Sequence, residues 1–114
     1  MITIYHNPRC SKSRQTLELL NSRGIKSDIR LYLEQSLNAD ELAELLAKLN
    51  MTADQFVRKT EPYYKDNLRG KELTQNQLIE AMIENPKLIE RPIVVNGNKA
   101  AIGRPPEAVL EIIK

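Results

Sequence analysis

The spacing that most restricts the fold lies at the start of the chain, where two alternating stretches flank one amphipathic helix within about thirty residues. Ile2 and Ile4 alternate with Thr3 and Tyr5 as in a short strand, and Asn7-Pro8 breaks it into a turn. A helix is predicted from about Ser11 to Arg23, with Ser13, Thr16, Leu17 and Leu20 on one face and Gly24 placed to stop it. Asp28 to Leu33 alternates again, so Ile29, Leu31 and Leu33 should share a strand face. Strand, helix and strand at this spacing make a βαβ unit, whose right-handed crossover sets the two strands parallel. The turn after the first strand then lies at the carboxyl end of the sheet, where open α/β folds place their ligands.

Asn38 with Glu41 reads as a capping box before Leu42, Leu45, Leu46 and Leu49, which recur at helical spacing. Thr52 with Gln55 opens a further helix carrying Phe56, Val57 and Arg58, which Glu61-Pro62 ends. The polar segment Lys65 to Lys71 has no clear periodicity. Thr74 with Gln77 caps another helix, with Leu78, Ile79, Met82 and Ile83 as core candidates up to Asn85-Pro86. Ile93 to Val95 and Lys99 to Ile102 flank Asn96-Gly97-Asn98, a strong hairpin signal, and a last helix starts near Pro105 with Val109, Ile112 and Ile113 on its core face. The order is βαβ, helices, ββα. With 114 residues this is read as one α/β domain over 1–114, a four-stranded mixed sheet flanked by helices, with a helical insertion at about 38–90.

Charge and cysteine content remove several function classes. Lys+Arg 17 against Asp+Glu 15 gives a net charge of +2 and no basic stripe, which argues against a nucleic-acid partner. One cysteine and one histidine exclude an intramolecular disulfide framework and a Cys/His metal site, so no metal is expected. The N-terminus enters a strand pattern with no signal-like segment, and no apolar run approaches ~18 residues, so no membrane partner and a cytoplasmic location are expected.

The turn carries Cys10. A thiol at the first turn of a helix faces unpaired backbone N–H groups and the positive end of the helix dipole, and both favour thiolate. Free cysteine is also a residue type often buried and inert, so residue type alone leaves two readings. Arg9, Lys12 and Arg14 favour the reactive one, since nearby cations lower a thiol pKa. His6 either ends the strand as a plain polar residue or, protonated, helps to hold the thiolate. Arg58, Arg91 and Arg104 each read singly as a surface charge, yet Arg91 precedes a proline at the head of a strand and Arg104 precedes Pro-Pro. Guanidinium suits bidentate capture of a tetrahedral oxyanion, and three converging on one thiol would make an oxyanion site. The phosphatase spacing of cysteine and arginine fails at Thr16, and a Cys-x-x-Cys dithiol fails at Ser13. Any redox cycle therefore needs an external thiol.

Over almost its full length the chain resembles the glutaredoxin-coupled arsenate reductases, the ArsC family. The resemblance rests on Ile4-Tyr-His-Asn-Pro8 with Cys10 and Ser13-Arg14, Tyr32-Leu-Glu34, Arg58-Lys59 with Glu61-Pro62, Arg91-Pro-Ile-Val-Val95, and Arg104-Pro105. It implies a thioredoxin-like fold with a helical insertion and a cis Pro92. It also implies Cys10 as nucleophile assisted by His6, arsenate or a similar oxyanion among Arg58, Arg91 and Arg104, and Asn7, Ser13, Arg14 and Pro92 as the supporting loop. Glutathione as co-substrate and glutaredoxin as partner are implied too, with no bound cofactor. Ser11-Lys12 stands where the best-known members carry Gly-Thr. Two other readings keep parts of the pattern: a glutathione-dependent thiol oxidoreductase acting on another substrate, and an Spx-like regulator docking on RNA polymerase, whose usual redox Cys-x-x-Cys is missing here.

Overall fold

The computed structural model describes residues 2–113. Along the chain lie β1 (Ile2–Tyr5), α1 (Ser11–Ser22), β2 (Ser27–Arg30), α2 (Ala39–Leu49), α3 (Ala53–Phe56), a π-helical turn (Tyr64–Leu68) and α4 (Gln75–Glu84). A 3-10 turn (Pro86–Leu88), β3 (Ile93–Asn96), β4 (Lys99–Ile102) and a closing 3-10 helix (Pro106–Ile112) follow. Two compact units result, one of residues up to Gln35 with those from Arg91 onward, the other Ser36–Glu90.

The first unit is the sheet, with strand order β2-β1-β3-β4. β1 runs parallel to β2 and antiparallel to β3, and β3 is antiparallel to β4. This four-stranded mixed sheet with its helices is the thioredoxin-like arrangement expected. Ile4 and Val94 from the two central strands pack with Leu20 of α1 and Val109 of the closing helix, all fully buried. Each such side chain contributes about 1.5–3 kcal/mol by leaving water. Gly24, at φ +70, ends α1 as its position suggests, and Gly97, at φ +63, opens the two-residue turn between β3 and β4.

The edge strand departs from the expected pattern. β2 stops at Arg30, because the carbonyl of Leu31 accepts from the N–H groups of Glu34 (3.0 Å) and Gln35 (2.8 Å) and closes a turn there. Ile29 and Leu33 are 49% and 40% exposed, so the shared apolar face of Ile29, Leu31 and Leu33 does not form. An edge strand has a pairing neighbour on one side only, and its alternation reports less about burial. The closing helix is also tighter than an α-helix, following Pro105 and Pro106. The peptide bonds before Pro92 and Pro105 are both cis.

In the helical unit, Asn38 accepts from the Glu41 N–H at 2.8 Å, and Thr52 with Gln55 and Thr74 with Gln77 form complete capping boxes. Leu42, Leu45 and Leu46 of α2 and Leu78, Ile79 and Met82 of α4 are buried there. α3 is a single turn: Val57 is already extended at ψ 140, so Arg58 stands outside the helix expected to carry it. The segment that lacked periodicity forms the π-helical turn, closed by the Arg69 N–H on the Tyr64 carbonyl at 2.8 Å. An i→i−5 turn does not follow the 3.6-residue pattern by which helices are recognised. No described helix is long and apolar enough to cross a membrane.

Gly103 is closely packed against the sheet unit's helix α1 and Pro92. Its N–H donates to the Pro92 carbonyl at 2.9 Å, and a Cβ there would stand 2.7 Å from Pro92 Cγ and against Thr16 of α1. Gly103→Ala should therefore lower unfolding free energy by about 1–3 kcal/mol in urea titrations, as overpacking does.

Candidate active site

Cys10 is the N-cap of α1, with extended backbone at φ −94 and ψ 123. The preceding turn is built from short-range polar contacts. The Cys10 N–H donates to the Asn7 carbonyl (3.0 Å), the Arg9 N–H to Asn7 Oδ1 (3.0 Å), and Arg14 Nη1 to the Pro8 carbonyl (2.9 Å). Ser13, fully buried on the first turn of α1, closes the structure: its Oγ accepts the Asn7 N–H at 3.0 Å and shares a 2.5 Å hydrogen bond with His6 Nδ1. Asn7, Ser13 and Arg14 thus shape the turn physically.

Two of the three arginines singled out from the sequence meet at this thiol. Arg104 Nη2 lies 3.5 Å from Cys10 Sγ, while Arg104 Nε donates to the Arg91 carbonyl at 2.8 Å. The Arg91 charge acts on the same sulfur. The thiol is 8% exposed, and this burial pushes its pKa up. The amide of Ser13, the Arg91 charge, the amide of Lys12 and the Arg104 charge oppose burial and together outweigh it, holding Cys10 below the usual thiol value of 9.0. The amides of Ser13 and Lys12 act on the sulfur as backbone hydrogen-bond donors of the first turn.

His6 differs from its protonated reading. It is 6% exposed, and burial followed by repulsion from Arg14 lowers its pKa from 6.5, so the imidazole is neutral at neutral pH. Its role in the turn is as the buried partner of Ser13 rather than as a cation. Arg58 belongs to the helical unit, where it is no plain surface charge. Its Nη1 donates to Glu61 Oε2 and to the Lys87 carbonyl, both at 3.0 Å, and its Nε is 4.0 Å from Glu90 Oε1.

Sequence reasoning missed two contributors, Gly103 and Thr16. Gly103 lets β4 approach α1 and Pro92 and so delivers Arg104, and Thr16 ties its hydroxyl to the Lys12 carbonyl at 2.8 Å. The signal available was a glycine immediately before Arg104-Pro105. Among the described residues no cluster of three or more His, Cys, Asp or Glu is arranged to hold a metal.

A thioredoxin-like fold with one activated thiol at a helix N-terminus, flanked by two arginines, defines a thiol protein equipped to meet an anionic electrophile. The comparisons give its family. Residues 5–112 match the ArsC family, and the chain belongs to it. The protein YfgD of Escherichia coli, of uncharacterised function, is 53% identical over 98% of this chain and 96% of its own. An arsenate reductase of Haemophilus influenzae is 49% identical over 98% of both chains. The solved arsenate reductase of Vibrio cholerae is 49% identical, with a TM-score of 0.94, covering 97% of this chain and 96% of its own.

The lowered His6 pKa carries a pH signature. Between the folded value and 6.5 the unfolded chain binds more protons, so the stability His6 contributes is full above 6.5 and is lost as pH falls through the folded pKa. NMR titration of the imidazole should give a midpoint below 6.5, and Arg14→Met should raise it.

Proposed function

We propose that this protein reduces arsenate to arsenite with Cys10 as its nucleophile. The observation that carries the reading is a lowered thiol pKa beside Arg91 and Arg104, in a chain of the ArsC family whose relatives include arsenate reductases. The Cys10 thiolate attacks arsenic, and an arsenate oxygen leaves as water to give a Cys10–S–arsenate adduct. Arg91 and Arg104 offset the negative charge of the arsenate oxygens, which is nucleophilic catalysis with electrostatic stabilisation.

With one cysteine in the chain, the second reducing equivalent comes from outside. Glutathione attacks the Cys10 sulfur. The sulfur–arsenic bonding pair stays on arsenic, which leaves as arsenite, and the two sulfurs are oxidised to a mixed disulfide. Glutaredoxin then returns Cys10 to the thiol by thiol–disulfide exchange. Glutathione is a consumed co-substrate in this scheme, and no resident cofactor is used. A reducing cytoplasm suits these partners and a free cysteine. Arg58 keeps the oxyanion-binding role that the resemblance assigns it.

Purified protein with arsenate, glutathione and glutaredoxin should form arsenite, and Cys10→Ser should remove that activity. Arg91→Met should lower kcat/KM for arsenate by about 10²-fold, the usual effect of losing one oxyanion donor. Arsenite formation that survives Cys10→Ser would overturn the proposal. Arsenate-independent cleavage of protein–glutathione disulfides, indifferent to Arg91→Met, would assign the thiol to a different electrophile.

A further inference from the structure

Within the helical unit, Arg58 is held at its backbone and at its side chain. The 3-10 turn after α4 supplies two carbonyls to it: Leu88 accepts the Arg58 N–H at 2.9 Å, and Lys87 accepts from Nη1 at 3.0 Å. Glu61 meets the same residue at both levels. Its N–H donates to the Arg58 carbonyl at 3.2 Å, and its Oε2 accepts from Nη1 at 3.0 Å. The Arg58 and Glu61 side chains are 20% and 19% exposed, against 49% and 68% for the nearby Lys59–Asp54 pair. The Arg58–Glu61 pair is therefore screened less than an ordinary surface ion pair.

The atoms engaged decide what the guanidinium can still do. Nη1 carries two N–H groups, and Glu61 Oε2 and the Lys87 carbonyl take both. Among the described residues neither Nη2 nor Nε makes a hydrogen bond, since Glu90 Oε1 at 4.0 Å from Nε is beyond reach. A guanidinium offers paired N–H groups along its Nη1–Nη2 end and along its Nε–Nη2 side. With Nη1 filled, the side remains, and its parallel N–H groups match two oxygens of a tetrahedral oxyanion.

We propose that Glu61 is a positioning residue for oxyanion capture: with the Lys87 carbonyl it occupies Nη1 of Arg58 and leaves the Nε–Nη2 edge for the anion. The inference rests on the reading of Arg58 as an oxyanion ligand. Fixing the guanidinium plane before the anion arrives removes freedom that binding would otherwise have to freeze. The Glu61 charge itself repels an oxyanion, so its effect lies in orientation and not in attraction. That opposition separates two variants. Glu61→Gln keeps an acceptor oxygen without the charge, whereas Glu61→Ala removes the acceptor and lets the guanidinium turn.

The clamp is read first by NMR of the full chain carrying isotopically labelled arginine, without arsenate. The side-chain N–H signals of Arg58, assigned by their loss in Arg58→Met, should be separate for Nη1 and Nη2, because a held guanidinium rotates slowly. Glu61→Ala should merge them into one averaged signal, and Glu61→Gln should keep them apart. Added arsenate should shift the Nε and Nη2 hydrogens of the wild-type protein more than those of Nη1. In assays with arsenate, glutathione and glutaredoxin, Glu61→Ala should raise the KM for arsenate about tenfold, with kcat and the KM for glutathione changing less. Glu61→Gln should restore most of that loss, and Glu61→Ala should add little in an Arg58→Met background. Averaged Nη signals in the wild-type protein, an arsenate KM indifferent to Glu61→Ala, or an equal rise in the Arg58→Met background would overturn the proposal. Failure of the arsenate reading looks different: the wild-type protein forms no arsenite, while its Nη signals stay separate and merge in Glu61→Ala. In that case shifts at Nε and Nη2 on adding arsenate still uphold the role of Glu61, and their absence overturns it.

Discussion

The hydroxyl of Ser13 does two jobs that fix the geometry of the reactive turn. It accepts the Asn7 N–H and holds His6 Nδ1, tying the residues that follow β1 to the first turn of α1. The His6 contact is buried and the Asn7 contact partly so, and an unmade buried hydrogen bond costs about 1–3 kcal/mol. The turn is therefore held at a fixed shape, and Cys10 is delivered to the helix N-terminus with its sulfur in the field of the amides. A second cysteine at this position would supply a resolving thiol, whereas serine supplies rigidity and leaves reduction to an outside partner.

The thiolate is the outcome of opposed effects. Burial disfavours charge on Cys10, and it is the largest single influence on the sulfur. The amides of Ser13 and Lys12 belong to the same helix, while the charges of Arg91 and Arg104 arrive from the far end of the chain. Arg104 depends on packing for its place: Gly103 has no side chain, so β4 can close against Thr16 and Pro92, and the Arg104 Nε bonds the Arg91 carbonyl. Arg104 is thus hydrogen-bonded to Arg91 as well as placed against the thiol. A small oxyanion meeting this corner would find the nucleophile and its counter-charges already in position, which is the preorganisation on which electrostatic catalysis depends.

Local chemistry was legible in the sequence wherever it is set by neighbours along the chain. The parallel β1–β2 pair, the Thr52–Gln55 and Thr74–Gln77 boxes, the Gly97 turn and the helix starting after Cys10 all follow from residues a few positions apart. Where the fold departs, a non-local or non-standard constraint won. β2 is shortened by a turn on the Leu31 carbonyl, α3 stops before Arg58, and the Tyr64–Leu68 turn has a period that no helical pattern reveals. For the site, the thiol and its first-turn amides could be read directly. The approach of Arg104, separated from Cys10 by 94 positions, could only be conjectured from residue type. The neutrality of His6 was not legible either, because it follows from burial and from Arg14 on the neighbouring helix.

The central claim is that first-turn amides and two arginines overcome burial and lower the pKa of Cys10. It is tested most directly by following thiolate absorbance of the wild-type protein and of Arg91→Met/Arg104→Met as pH is raised. The wild-type midpoint should fall below 9.0, and removing both arginines should move it upward, because burial then faces only the amides. A wild-type midpoint at or above 9.0, or one that the double substitution leaves in place, would contradict the account.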